Sequence, residues 1–143
     1  MSPHEETREG TSLPENALFV CFGGLSNTGY ITALAAMEAV RTVGLKKAAI
    51  FCLAGLPAGL TSVKERAGAA QRIITVDGCA NNCARKMVEA AGLHITRAIT
   101  LEDLGVKKVP FFQGRELSDP DKCISDDDVS RVRLAILRAL EAT

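Results

Sequence analysis

The sequence contains no tryptophan, a single tyrosine and no continuous hydrophobic segment long enough to span a membrane. Its longest apolar segment, residues 48–60, is interrupted by Gly55, Pro57 and Gly59. Residues 1–16 are polar and charged and lack the hydrophobic region of a signal peptide. These absences lead us to expect a cytoplasmic protein.

A cluster of positive charge is also absent. Seventeen basic and seventeen acidic side chains give a formal net charge of zero, and no stripe of lysine and arginine is found. Nucleic acids and anionic membranes are bound mainly through clustered positive charge. We therefore expect neither a nucleic acid nor a membrane as a partner, and the sequence identifies no protein partner.

Alternating apolar segments and helical patterns predict an α/β fold. With 143 residues, 47% of them hydrophobic, the chain has enough apolar surface for one core. Residues 1–16 are predicted to form a mobile arm, and residues 17–143 a single domain. Strands are predicted at 17–22, 48–53, 72–77 and 94–101, helices at 28–43, 60–70, 80–91 and from Ser125 onward, and a loop at 102–121.

The first predicted strand, residues 17–22, is a continuous apolar segment, which is typical of strands covered on both faces. The sequence thus predicts a three-layer, Rossmann-like domain. Its mostly parallel sheet would have about four strands, with helices on both faces.

Four of the five cysteines follow the predicted strands. Cys21, Cys52, Cys79 and Cys83 each lie at or just past a strand end, whereas Cys123 belongs to no cluster. Parallel strands end at one edge of the sheet, where open α/β folds bind ligands. We therefore expect the four thiols to converge, and four thiolates are a ligand set for zinc or an iron–sulfur cluster.

Cys79 and Cys83 are four residues apart in a polar turn. If the helix begins near Cys79, both lie on its first turn, where free amides favour anionic sulfur. Three readings stay open from the residues: a metal or cluster site, a thiol chemistry without permanent metal, and unlinked cysteines that only pack.

Glycines and small polar residues follow the first and third strands. Gly24, Ser26, Asn27 and Gly78 are the expected cofactor-binding residues, and the amides of Gly24, Asn27, Gly78 and the helix N-termini are expected to offset the charge of the thiols. Ser26 is interpreted as a helix cap, because no base partners it as a nucleophile would require. The glycine-rich turn lacks the dinucleotide-binding fingerprint.

One arrangement resembles a known family. The triplet Asp77-Gly78-Cys79 is followed by Cys83, preceded by Cys21, Gly24, Ser26-Asn27 and Gly29, with Cys52-x-Ala54-Gly55 between them. This pattern, over residues 19–104, resembles the DGC-domain family, which is thought to hold zinc with four cysteines. The resemblance implies zinc as the cofactor and Cys21, Cys52, Cys79 and Cys83 as its ligands. Leu56-Pro57 departs from the family pattern, where a second glycine is expected.

Three functions follow as hypotheses. The leading one is a small metal-binding protein that senses, buffers or delivers a thiophilic ion. The alternative is a cytoplasmic enzyme of thiol or chalcogen chemistry that uses Cys79 or Cys83 as a reactive thiolate. A third is an interaction module whose segment 109–112 docks a partner.

Overall fold

The computed structural model describes residues 13–113, 116–117 and 119–141. The strands are β1 (Asn16–Val20), β2 (Ala48–Ile50), β3 (Arg72–Asp77), β4 (Arg97–Thr100), β5 (Phe112–Gln113) and β6 (Glu116–Leu117). The helices are α1 (Asn27–Val43), α2 (Thr61–Gly68), α3 (Cys83–Ala90), α4 (Pro120–Cys123) and α5 (Asp126–Glu141). Short 3₁₀ turns form at Leu53–Gly55 and Leu101–Leu104.

Most of the predicted N-terminal arm lies outside the described residues. Its last two residues are paired with the chain that leads into β2. The Glu15 N–H donates to the Lys46 carbonyl at 3.0 Å, and the Asn16 N–H donates to the Lys47 carbonyl at 3.1 Å. Asn16 is fully buried, so it forms part of the sheet.

The main sheet is parallel throughout. Its strand order is β2-β1-β3-β4, and β1 pairs with both β2 and β3. Phe19 lies opposite Thr75, and Val20 lies opposite Val76. The C-terminal ends of the strands therefore face one edge, which carries the turns after β1 and β3.

Two apolar layers cover the sheet. On one face, Leu18, Ile74 and Val76 belong to a buried cluster with α1 and α5 residues such as Ile31 and Ile136. On the other face, a second cluster joins the strands to α2 and α3 through Ala17, Phe19, Ile73, Ala67 and Val88. Burial on both faces explains the continuous apolar strands, and the predicted three-layer α/β fold is confirmed.

Several predicted boundaries are wrong. β2 ends at Ile50 and passes into the 3₁₀ turn, and α3 begins at Cys83 although the sequence predicts residue 80. The late start has a local cause. Asn82 has φ 50°, a left-handed conformation that cannot continue a right-handed helix. Cys79 thus lies in the turn that precedes α3.

The segment 102–121 is more ordered than the predicted loop. It contains a 3₁₀ turn, the antiparallel β5–β6 pair and the start of α4, where the Asp119 carboxylate accepts the Asp121 N–H at 3.1 Å. The predicted cap of the last helix is confirmed, because Ser125 Oγ accepts the Asp128 N–H at 3.1 Å. Within the described residues, no helix is both long enough and apolar enough to cross a membrane.

Candidate metal centre

Cys21, Cys79 and Cys83 lie where β1, β3 and α3 meet. The Cys21 N–H donates to the Val76 carbonyl at 3.0 Å, which extends the β1–β3 ladder by one residue and places Cys21 beside Asp77. Cys79 follows Asp77 by two positions, and Cys83 is the first residue of α3. We call this region the thiol edge.

Asp77 joins the end of β3 to the start of α3. Its Oδ1 accepts the Ala84 N–H at 2.7 Å, and its Oδ2 accepts the Arg85 N–H at 3.1 Å. Both N–H groups belong to the first turn of the helix, where no intrahelical partner exists. A buried carboxylate from the neighbouring strand thus replaces the usual cap and holds Cys83 at the thiol edge.

The turn that carries Cys79 is fixed from two sides. The Asn82 N–H donates to the Cys79 carbonyl at 3.1 Å, and the Asn82 amide group donates to the Ala80 carbonyl at 3.2 Å. From β4, Thr100 Oγ1 donates to Asn82 Oδ1 at 2.8 Å. The left-handed conformation of Asn82 is therefore stabilised by its own side chain and by the next strand.

Cys83, Asp77 and Cys79 all lie near enough to Cys21 to affect the pKa of its thiol. The pKa of the Cys21 thiol is raised from 9.0 to about 11. Burial is the largest cause, and it is followed by the nearby charges of Cys83, Asp77 and Cys79 and by a hydrogen bond with Cys83. Burial also raises the pKa of Asp77, against the opposing effects of its two backbone hydrogen bonds and the charges of Arg85 and Lys86. The thiols of Cys79 and Cys83 and the carboxylate of Asp77 thus lie close enough to Cys21 to disfavour negative charge on its sulfur.

Cys52 stands apart from this cluster. It is exposed and precedes the turn at Leu53–Gly55, and neither Cys52 nor Cys123 is among the groups that raise the pKa of Cys21. In the described part of the chain, no three His, Cys, Asp or Glu side chains are arranged so that they could already hold a metal ion. The structure therefore brings three of the four predicted ligands together without closing a site.

The turn after Cys21 is packed too tightly for any side chain at Gly29. A Cβ built on Gly29 would lie 1.5 Å from the Gly23 carbonyl oxygen. The Gly23 N–H donates to the Gly29 carbonyl at 3.1 Å, and Thr32 Oγ1 donates to the Cys21 carbonyl at 2.6 Å. The first turns of α1 thus hold the backbone of Cys21.

Asn27 ties this turn to a distant segment. Its Oδ1 accepts the Val109 N–H at 2.6 Å, its amide group donates to the Lys107 carbonyl at 3.0 Å, and its backbone N–H donates to the Val109 carbonyl at 3.1 Å. The backbone N–H of Asn27, which was predicted to offset the charge of the thiols, therefore donates to the Val109 carbonyl. Asn27 therefore shapes the loop beside the site.

Of the other predicted surrounding residues, Gly24 and Ser26 lie in the β1–α1 turn and Gly78 lies in the turn after β3. Gly24 has φ 83°, and the hydroxyls of Ser26 and Thr28 share a hydrogen bond of 3.2 Å. A Cβ on Gly78 would lie 3.0 to 3.1 Å from atoms of Thr28, so the absence of a side chain lets the two turns approach. Ser26 makes no side-chain cap bond to α1, although it occupies the N-cap position.

Sequence reasoning missed the structural roles of Asp77, Thr32 and the segment 107–109. For Asp77 a signal existed, because an acidic residue directly at a strand end and seven positions before Ala84 can reach a helix start. The contacts of Asn27 with Lys107 and Val109 left no such signal, because they join positions about eighty residues apart.

One of the three comparisons with known proteins gives a match. The family model of the DGC domain matches residues 17–129, which run from β1 into α5 and include all five cysteines. Neither the curated proteins nor the solved structures give a match. Because the family model covers most of the sequence, the chain belongs to the DGC domain family.

Proposed function

We propose that this protein binds a thiophilic metal ion, with zinc as the expected ion, at the thiol edge. Cys21, Cys79 and Cys83 would supply three thiolates, and Cys52 the fourth. The protein would then sense, buffer or deliver that ion. The DGC domain match is consistent with metal binding in general, and the choice of zinc and of four cysteines is our inference.

The observation that carries the proposal is the convergence of acidic groups at Cys21. Burial, the thiols of Cys83 and Cys79 and the carboxylate of Asp77 raise the pKa of the Cys21 thiol, so the thiolate of Cys21 is disfavoured in metal-free protein. A divalent cation reverses this repulsion, because it stabilises each thiolate that binds it. Sulfur is also the preferred ligand type of zinc among the groups available here.

Closing the site requires movement of Cys52. This residue is exposed at the start of a short turn, in which its carbonyl accepts the Gly55 N–H at 3.2 Å. Zn–S bonds are about 2.3 Å long, so the fourth sulfur must approach the other three closely. We therefore expect metal binding to order the turn after β2.

The hypothesis of a reactive thiolate has less support. Helix N-termini lower thiol pKa values through their free N–H groups. At the start of α3, however, the N–H groups of Ala84 and Arg85 already donate to Asp77. Burial and the negative charge of the Asp77 carboxylate are also among the causes that raise the pKa of the neighbouring Cys21 thiol. Both observations favour a metal-binding cluster over a permanently activated nucleophile.

Metal content tests the proposal directly. Anaerobically purified, untagged protein should contain about one zinc per chain, and four thiols should become reactive only after chelation. Cys21→Ser, Cys79→Ser and Cys83→Ser should each lower zinc affinity in competition with a chromophoric chelator, as should Cys52→Ser. Cys123→Ser is the matched control and should retain full affinity.

Two results would overturn the proposal. One is the absence of zinc binding by fully reduced protein in the competition titration. The other is full metal content in three or more of the four single variants, which would show that the thiols do not share one ion. A single fast-reacting thiol in metal-free wild-type protein would favour the enzyme hypothesis instead.

A further inference from the structure

A row of aromatic rings borders the thiol edge. The ring centroids of Phe22 and Tyr30 are 5.3 Å apart, and those of Tyr30 and Phe111 are 5.1 Å apart. Leu25 and Phe112 adjoin the row, and the Phe111 N–H donates to the Leu25 carbonyl at 2.8 Å. We call these five residues the aromatic patch. It begins one residue after Cys21.

Three members of the patch expose large apolar surfaces. Phe22 is 66% exposed, Leu25 is 64% exposed and Phe112 is 52% exposed. Single exposed apolar residues are common, whereas several next to one another on a surface are typical of interaction sites. Phe111, by contrast, is buried and holds the segment that carries Phe112 against the turn after β1.

Leu25 adds no evident benefit to the fold. Its φ of 52° is left-handed, which is costly for a bulky side chain and favourable for glycine or asparagine. The side chain also points its apolar surface into water. A residue that is both strained and exposed is a candidate for a role in binding.

The patch is flanked by positive charge. Lys107 and Lys108 are exposed in the segment that Asn27 holds against the β1–α1 turn. Among the described residues, neither lysine lies within ion-pairing distance of a carboxylate. A ligand that complements this surface combines apolar side chains with negative charge.

We propose that the aromatic patch docks a short acidic segment of a partner protein that carries apolar side chains. Leu25 and Phe22 anchor that segment, and Lys107 and Lys108 pair with its carboxylates. The docked segment lies directly beside Cys21. This inference does not depend on metal binding, because none of its contacts involves a thiol.

Two other occupants fit the surface less well. A two-fold contact through this patch would bring the lysines of two copies into one interface without supplying carboxylates from the patch, so like charges would repel. Anionic membranes are recognised by clusters of about four to eight basic residues together with an apolar face. Two lysines beside three exposed apolar side chains fit a peptide better than a membrane.

The test selects short peptides from a random phage-displayed library on immobilised full-length protein of measured zinc content. Selected peptides should combine Asp or Glu with Leu, Phe or Trp. By fluorescence anisotropy, the Phe22→Ser and Leu25→Gly double variant should bind them at least about tenfold more weakly than wild type, as expected for interface anchors. The double variant Lys107→Glu and Lys108→Glu should show a similar loss.

Leu34→Ser and Met37→Ser together form the control, because both residues are exposed apolar positions on α1 outside the patch, 45% and 50% exposed. That variant should bind like wild type. Leu25→Gly relieves a left-handed backbone, so the patch variant is expected to remain folded, which circular dichroism verifies.

Several outcomes would overturn the proposal: no enriched peptides, enriched peptides without acidic residues, or equal binding to the patch and control variants. Concentration-dependent dimerisation in sedimentation, abolished by the patch variant, would assign the surface to a second copy. Flotation with phosphatidylserine-containing vesicles, abolished by the same variant, would assign it to a membrane. Zinc-free protein should bind the peptides as well, because none of the docking contacts involves a thiol. Failure of the proposed metal site would therefore leave peptide binding unchanged.

Discussion

Gly29→Ala should be strongly destabilising, although alanine is intrinsically the better helix former. The new Cβ would lie 1.5 Å from the Gly23 carbonyl oxygen, so the turn and α1 must move apart. This movement breaks the 3.1 Å hydrogen bond from the Gly23 N–H to the Gly29 carbonyl. Overpacking and the lost bond cost about 3 kcal/mol together, against a helix-propensity gain of about 0.5 to 1 kcal/mol. We expect a net loss of about 2 kcal/mol in the free energy of unfolding.

Gly68→Ala provides the matched control. Its Cβ would lie 3.8 Å from Leu93 Cδ2, an ordinary contact, at the last residue of α2. This variant should gain about 0.5 kcal/mol or remain unchanged. Urea unfolding of reduced, metal-free protein, followed by circular dichroism, measures both. Stability of Gly29→Ala within about 0.5 kcal/mol of wild type would refute the tight turn after Cys21.

Two further predictions concern the thiol edge. Asp77→Ala should lower the free energy of unfolding by about 2 to 3 kcal/mol, because the N–H groups of Ala84 and Arg85 lose their acceptors. Asp77→Asn should cost less, because one acceptor remains. Equal urea midpoints for wild type and Asp77→Ala would contradict this expectation. In metal-free protein, iodoacetamide should alkylate Cys21 about 100-fold more slowly near neutral pH than the same thiol in urea-unfolded chain, since its pKa rises from 9.0 to about 11. The folded-state rate should increase about tenfold per pH unit up to that pKa, and equal rates in both states by peptide mass spectrometry would disprove the crowding.

The layered fold was predictable, because a strand of consecutive apolar residues places apolar side chains on both faces of the sheet. Leu18 and Phe19 lie in an uninterrupted apolar segment and are fully buried, which requires cover on both faces of the sheet. Strand order was not predictable in this way. That β1 lies between β2 and β3 follows from how the crossover helices pack, which no local pattern records.

The candidate site was predictable in part. Cysteines at strand ends indicate a common edge, and Cys21, Cys79 and Cys83 do converge there. The start of α3 was not predictable, because Asn82 adopts its left-handed conformation with help from Thr100 on the neighbouring strand. The position of Cys52 likewise depends on where β2 stops, and the 3₁₀ turn that follows Cys52 has no counterpart directly after β1.

The bonds of Asn27 also bear on the order in which the molecule is made. The turn beside Cys21 is completed by Lys107 and Val109, which leave the ribosome about eighty residues later. All four candidate ligands precede that segment in the chain. A nascent chain therefore presents its thiols before Lys107 and Val109 can complete the turn beside Cys21. The mature shape of the thiol edge is acquired only late in synthesis.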